Sequence, residues 1–330
     1  MCKPAGANER PSRRPLVAGY RHSEVLRHNL CRVAYTSMDW LTLTLLCAFF
    51  VASADAATKK YLSSYSAQEL TVIRFTWSAL LCLPLLLMQP VPTLPASFWK
   101  WLAVLVPIEI LAMWLYMQAI RTSALAHTLP YLAFTPVFNV LTAYLVLGER
   151  VSPRGFAGIV IITVGAYVLN LQRGSGKGVC GVIEPLTSIL RETGPRLMLT
   201  VAFLYSITST LGKGALQYVP PIFFGPFYFC VLAVVTLALA TLAERRNPLT
   251  LLWRRPGAHL LVGLSTGAMA VIHFLALERV EVAYMIAVKR SSLLFGILYG
   301  AWLFQERHLT RHLGAGMLML AGIMLIATDA

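Results

Sequence analysis

The feature that most constrains this chain is a succession of apolar runs separated by short polar or proline-containing breaks. A helix needs about 20 mainly apolar residues to cross a bilayer, so each run predicts a membrane-spanning helix. Hydrophobic residues make up 57% of the chain and charged residues only 13%, which is too few charges for a typical soluble protein. We therefore predict an all-α integral membrane protein with ten transmembrane helices. The predicted spans cover residues 40–58, 70–88, 100–119, 125–147, 155–171, 197–217, 222–243, 257–277, 281–304 and 312–328.

The predicted spans fall into two halves that resemble each other in sequence. A shift of 157 positions lays the segment LGER at 147–150 on FQER at 304–307, and it lays Gly165 on Gly322. Because each half has five spans, an odd number, the second half enters the membrane from the opposite side. This predicts two inverted five-helix repeats with a binding site near the membrane midplane. The predicted organisation is a basic, disordered arm at 1–39, a first repeat at 40–171, a linker at 172–196 and a second repeat at 197–328.

The paired segments, each followed by a span with spaced glycines, resemble the EamA type of the drug/metabolite transporter (DMT) superfamily. The resemblance covers residues 40–328. It implies a ten-helix carrier that moves a small metabolite, with both termini in the cytoplasm. We expect a multi-pass protein of a bacterial inner membrane. Basic residues are equally frequent on the two predicted sides, so charge counting does not set the orientation.

Two adjacent cations, Lys289 and Arg290, lie near the middle of the ninth predicted span, where an embedded charge costs roughly 2.5–3.5 kcal/mol. Helical spacing places Lys289 on one face with small residues, which predicts that this face points into the bundle. A similar pair in the related plastid sugar-phosphate translocators contacts the anionic group of the substrate, so the resemblance implies the same role here. The predicted substrate-binding residues are Lys289, Arg290, Ser292, Asn139, Tyr131 and Tyr284.

A structural role for the two cations is the alternative, in which a buried carboxylate pairs with them. Glu109 in the third span and Asp55 late in the first are the candidate partners. Glu109 is also a candidate proton-coupling group, since burial favours the protonated form of a carboxylate. We expect Arg74 near a helix end, reaching the membrane surface. Glu149 is expected to form a loop ion pair with its neighbour Arg150.

Enzymatic and nucleic-acid-binding functions have little support in the sequence. GxSxG, HExxH and phosphate-loop motifs are absent, and the net charge of +14 sits in short clusters between apolar runs. We predict no enzymatic activity, no cofactor, no metal site and no nucleic-acid partner. The expected partners are a small-molecule substrate, the lipid bilayer and protons or another coupling ion, with a homodimer as a candidate assembly. The alternatives are a flippase of a phosphate-linked lipid and a membrane protein with no transport role.

Overall fold

The structure, a computed structural model, describes residues 38–122, 131–171, 193–244, 249–304 and 313–329. Every regular element in these residues is a helix. Six of the described helices are long and apolar enough to cross a membrane: Trp40–Tyr61, Ala67–Leu87, Ala96–Ala119, Pro221–Leu242, Pro256–Leu277 and Val282–Gly300. Three shorter apolar helices accompany them: Thr135–Leu147, Pro153–Val168 and Gly314–Ala327. The predicted all-helical membrane architecture is confirmed.

The described helices match the ten predicted spans, which we number one to ten in chain order. Their bounds are Trp40–Tyr61, Ala67–Leu87, Ala96–Thr122, Thr135–Leu147, Pro153–Leu171, Thr193–Ala215, Pro221–Glu244, Pro256–Leu277, Val282–Lys289 with Ser292–Phe304, and Leu313–Ala327; a short helix, Leu249–Leu252, precedes span eight. Span six begins inside the stretch predicted as linker. The predicted arm up to residue 37, residues 125–130 of predicted span four and residues 172–192 of the predicted linker lie outside the described residues.

The local sequence explains where several of these helices begin and end. Ser66 caps span two, because its side chain accepts the Glu69 N–H at 3.1 Å while the Glu69 carboxylate accepts the Ser66 N–H at 2.7 Å. Proline opens spans five, seven and eight, at a position where a helix does not use the N–H group. Span four ends at Gly148, whose φ of 72° is left-handed and suits glycine. Glu149 therefore lies directly beyond the end of span four.

The spans pack chiefly across the two halves of the chain. Span one packs against span eight and, equivalently, span six packs against span three. Spans two and seven form another pair, as do spans five and ten. Span four contacts span six and, equivalently, the second part of span nine contacts span one. Exchanging the halves maps these contacts onto one another, which is the pattern expected of two repeats related by a two-fold axis.

The crossing of spans five and ten shows that the repeat is inverted. A Cβ built on Gly158 would lie 3.0 Å from the carbonyl oxygen of Gly322, and one built on Gly165 would lie 3.1 Å from that of Ala315. The start of span five thus meets the end of span ten, so these repeat-related helices run antiparallel. Their small residues permit this close approach, as is common between membrane helices. The predicted inverted repeats are confirmed.

We predict that Gly322→Ala destabilises the protein. The added methyl would lie 2.8 Å from the carbonyl oxygen of Gly158, and overpacking of this kind costs about 1–3 kcal/mol. Gly314→Ala on the same span is the matched control, because a Cβ there meets nothing within 4 Å. Thermal unfolding of the detergent-purified variants should show a lower midpoint for Gly322→Ala alone. Equal midpoints for both variants would contradict the close crossing.

Candidate functional site

Span nine is broken at Arg290 and Ser291, whereas the sequence predicted a continuous helix over 281–304. It runs as a first half-helix, Val282–Lys289, and a second half-helix, Ser292–Phe304. The Arg290 N–H donates to the carbonyl three residues back at 3.1 Å, and the Ser291 N–H does the same at 2.9 Å. This tighter turn interrupts the α-helical ladder. Such a break within the membrane is tolerated only where the backbone faces protein or a polar cavity.

Span four is broken at the repeat-related position. Tyr131 and Leu132 are helical, a tight turn follows at Ala133 and Phe134, and the helix from Thr135 comes next. The 157-position shift places these two turn residues on the two break residues of span nine. The first half-helix of span nine packs against span four. The duplicated fold therefore brings two interrupted helices into contact, and broken helices of this kind build the central sites of many transporters.

The Lys289 ammonium has no carboxylate partner within 4.0 Å among the described residues. Its Nζ lies 3.3 Å from Nδ1 of His273 and 3.8 Å from Sδ of Met269, both on span eight. Cys47 of span one is another polar neighbour. His273 was not predicted from the sequence, although a histidine inside an apolar span, four residues after Met269 and so on the same face, was a usable signal.

Arg290 is the second cation of the site, and it is buried, with 9% of its surface exposed. It forms no ion pair within the described part of the chain, and its Nε is buried without a hydrogen-bond partner there. The neighbouring Ser291 Oγ is buried and unpartnered in the same sense. Tyr116, Tyr205 and Asp55 act electrostatically on the guanidinium. A buried charge normally has a counter-charge or a polar cavity, so the lack of an ion pair in the described residues makes Arg290 a candidate binding group.

Asp55 and Arg74 pair with each other rather than with the cations of span nine. Arg74 Nη1 lies 2.9 Å from Asp55 Oδ1, and the Tyr116 hydroxyl lies 3.5 Å from Oδ2. Arg74 is buried, so the expectation that it reaches the membrane surface is wrong. The ion pair with Asp55 offsets the desolvation of the guanidinium. One of the two candidate carboxylates is therefore already neutralised.

Glu109 of span three faces the same interior region as Lys289. It is half-buried, interacts with the Thr208 hydroxyl of span six, and feels the Lys289 charge. No contact within 4.0 Å joins its carboxylate to Lys289 or Arg290 in the described residues. Glu109 thus acts on Lys289 at a distance and forms no direct ion pair with either cation in the described residues.

The remaining predicted binding residues on span four lie in helix contacts. Asn139 is fully buried, and its Oδ1 accepts a hydrogen bond from Ser209 of span six at 2.9 Å; its Nδ2 has no partner among the described residues. Tyr131 is fully buried just before the break, near Tyr167 of span five. Ser292, by contrast, opens the second half-helix of span nine and adjoins the two cations.

Tyr284 lies near the start of span nine and uses its hydroxyl within the protein. The hydroxyl donates to Asp329 Oδ2 at 2.8 Å and accepts the Ser152 N–H at 3.2 Å. The Ser152 hydroxyl also donates to Asp329, and the two hydrogen bonds lower the pKa of this carboxyl group, which lies beyond the end of span ten. The structure therefore does not bring Tyr284 together with Lys289. Tyr284 instead connects the adjoining ends of spans five, nine and ten through these hydrogen bonds.

Glu149 was expected to form an ion pair with Arg150, but it pairs with Lys213 instead. Its Oε1 lies 2.5 Å from Lys213 Nζ at the end of span six, and its Oε2 accepts the Val282 N–H at 2.9 Å. The sequence could not reveal this pairing because the two residues belong to different halves of the chain. Glu149 is thus an interhelix contact at the same bundle end as Tyr284.

The chain was compared with known proteins and structures. The model of the EamA-like transporter family matches residues 38–171 and 193–328. A crystal structure of a protein superposes with a TM-score of 0.65 at 16% sequence identity, covering 88% of this chain and 96% of that chain. This similarity concerns the fold alone. None of the curated proteins compared with the chain matches it.

We predict that Tyr284→Phe lowers stability and leaves ligand binding unchanged. The substitution removes the hydroxyl that joins Ser152 to Asp329, and a hydrogen bond of this type contributes about 1 kcal/mol. Tyr144→Phe is the control, since Tyr144 is 51% exposed on span four. Thermal unfolding should show a lower midpoint only for Tyr284→Phe. If Tyr284→Phe loses ligand binding and its unfolding midpoint is unchanged, Tyr284 contacts the substrate as the sequence predicted.

Proposed function

The chain belongs to the EamA-like transporter family and is a secondary transporter, and we propose that its substrate is a small anionic or zwitterionic metabolite held at Lys289 and Arg290. The observation that carries the proposal is the pair of adjacent cations, the half-buried Lys289 and the buried Arg290, without a carboxylate partner in the described residues. Family membership supports transport of a small molecule, and the charge of the site supports the substrate class. We place this multi-pass protein in a bacterial inner membrane.

The charges around the site leave a positive surplus for the substrate. Three buried or partly buried cations, Arg74, Lys289 and Arg290, face two carboxylates, Asp55 and Glu109. The Arg74 charge is compensated by Asp55 at 2.9 Å. Glu109 acts on Lys289 and Asp55 also acts on Arg290, but neither carboxylate lies within 4.0 Å of a cation of span nine in the described residues. A substrate carboxylate or phosphate would supply the missing negative charge, and this would lower the cost of keeping two cations inside the membrane.

The geometry of the break suits an anionic group. Arg290 presents a planar fork of donors that can hold two oxygens, while Lys289 provides a compact charge. Ser292 opens a half-helix of thirteen residues, whose amino-terminal end carries partial positive charge. The Ser291 hydroxyl is a further unused donor at the same turn. A zwitterionic substrate could direct its cationic group toward Glu109, which we propose as the coupling residue if a proton accompanies the substrate.

The inverted repeats support an alternating-access mechanism. In such carriers, the two halves move relative to each other around a site near the midplane, exposing it first to one side and then to the other. The two helix breaks occupy equivalent positions in the halves. Because a broken helix can bend where a continuous one resists, these breaks are where spans four and nine would change direction.

We predict that Lys289→Ala weakens substrate binding by about tenfold or more, because a hydrogen bond to a charged group contributes about 1.5–3 kcal/mol. Arg290→Lys should weaken binding less, since the charge stays and only the fork is lost. Lys100→Ala, at an exposed lysine, is the control and should bind normally. The measurement is uptake into proteoliposomes from a panel of organic anions, amino acids and amines, followed by binding of the active compound.

Three results would contradict the proposal. Normal transport by Lys289→Ala would make the cation structural. If Lys289→Ala expresses poorly and the added substitution Glu109→Gln alone restores its expression, the two residues neutralise each other. If the protein transports only amines, its substrate class is different from the proposed one. The same holds if it moves a phosphate-linked lipid between leaflets and takes up no soluble anion.

A further inference from the structure

Glu149 and Lys213 form a polar contact that we call the latch, and it holds three helix ends together. The carboxylate follows the end of span four, and the ammonium lies in the last turn of span six, 2.5 Å away. Each side chain also forms a hydrogen bond with the backbone near the start of span nine. Lys213 Nζ donates to the Val280 carbonyl at 2.6 Å, and Glu149 Oε2 accepts the Val282 N–H at 2.9 Å.

The latch lies where water can reach it. The Lys213 and Glu149 side chains are 20% and 15% exposed, so they are largely but not completely buried. A pocket adjoins them, lined by acidic residues such as Glu278 and Glu281 and by basic residues such as Arg150. This charged surface pocket, which we call the vestibule, lies beside the latch at one end of the bundle. A contact of this kind can open without leaving buried charges stranded in an apolar environment.

The latch and the cationic site lie at opposite ends of one short element. The first half-helix of span nine begins at Val282, which binds Glu149, and ends at Lys289. Its residues from Val282 to Val288 are all buried. The half-helix spans eight residues and ends at the tight turn that separates it from the second half-helix. One short helix therefore joins the latch to the cations at its other end.

We propose that the latch closes one mouth of the transport pathway and that Glu149 and Lys213 are positioning residues for Lys289 and Arg290, acting through the first half-helix of span nine. When the latch is formed, spans four, six and nine meet and separate the vestibule from the central site. When it opens, the half-helix swings away and the cations face the vestibule. The inference rests on the proposed alternating access, but its test requires no transported substrate.

The test uses native Cys47 as a reporter of water access to the central site. Cys47 is buried on span one beside Lys289, so a membrane-impermeant thiol reagent reaches it only when the interior opens. The probe is sulfonatoethyl methanethiosulfonate, applied to right-side-out and to inverted membrane vesicles, with labelling at Cys47 quantified by peptide mass spectrometry. A second variant, Glu281→Cys, marks the side on which the vestibule lies.

The variants separate the ion pair from the backbone contact. Glu149→Gln keeps an oxygen that can accept the Val282 N–H and removes the charge, whereas Lys213→Met removes the charge and both donor contacts. Lys213→Arg keeps the charge and is the conservative control. Arg254→Met removes a different helix-end ion pair, with Glu69 at 3.4 Å, and is the positional control.

We expect Glu149→Gln and Lys213→Met to raise Cys47 labelling from the vestibule side about fivefold or more, as typical couplings between sites imply. Lys213→Arg and Arg254→Met should label like the unmodified protein. Unchanged labelling in both latch variants would overturn the proposal, as would equal increases from both vesicle orientations, which indicate general loosening. This labelling experiment does not depend on the transport measured for Lys289→Ala. The proposed latch and the proposed function can therefore be contradicted independently.

Discussion

Backbone N–H and C=O groups inside a bilayer must find partners within the protein, and this constraint decides where a membrane helix can be interrupted. Spans four and nine are both interrupted at repeat-related positions, and they pack against each other. Arg290 and Ser291 at the turn of span nine are buried, so this part of the backbone faces protein. The same arrangement gathers the polar residues of the protein, because charged side chains such as Lys289 and Arg290 are also tolerated only in a protected interior.

The fold was largely predictable because hydrophobic length and internal repetition are properties of the sequence itself. Ten spans and their inverted pairing followed from apolar runs and from the shift that lays Gly165 on Gly322. The break in span nine was not predictable, since the turn at Arg290 and Ser291 contains neither glycine nor proline. The half-helix that ends at this turn packs against span four of the other half. A single-sequence pattern does not record such packing.

The site was predictable in part for the same reason. Lys289 and Arg290 are conspicuous because any charge at midplane is costly. Their surroundings depend on which helices meet: Arg74 was misplaced because its partner Asp55 lies on another span, and His273 was missed within an apolar run. Residue types can therefore identify a costly group from sequence, whereas the group that compensates it emerges only from the fold.

The most direct test of the account is the electrostatic preference of the central site. Two reagents of similar size, the anionic sulfonatoethyl and the cationic trimethylammonioethyl methanethiosulfonate, can be compared at Cys47, with each rate divided by that for a free thiol. The account predicts that the anionic reagent reacts about tenfold or more faster, because the cations around the site outnumber the carboxylates, and that Lys289→Met reduces the ratio. Equal rates, or faster reaction of the cationic reagent, would show that Glu109 already neutralises the pair and would contradict an anion-binding site.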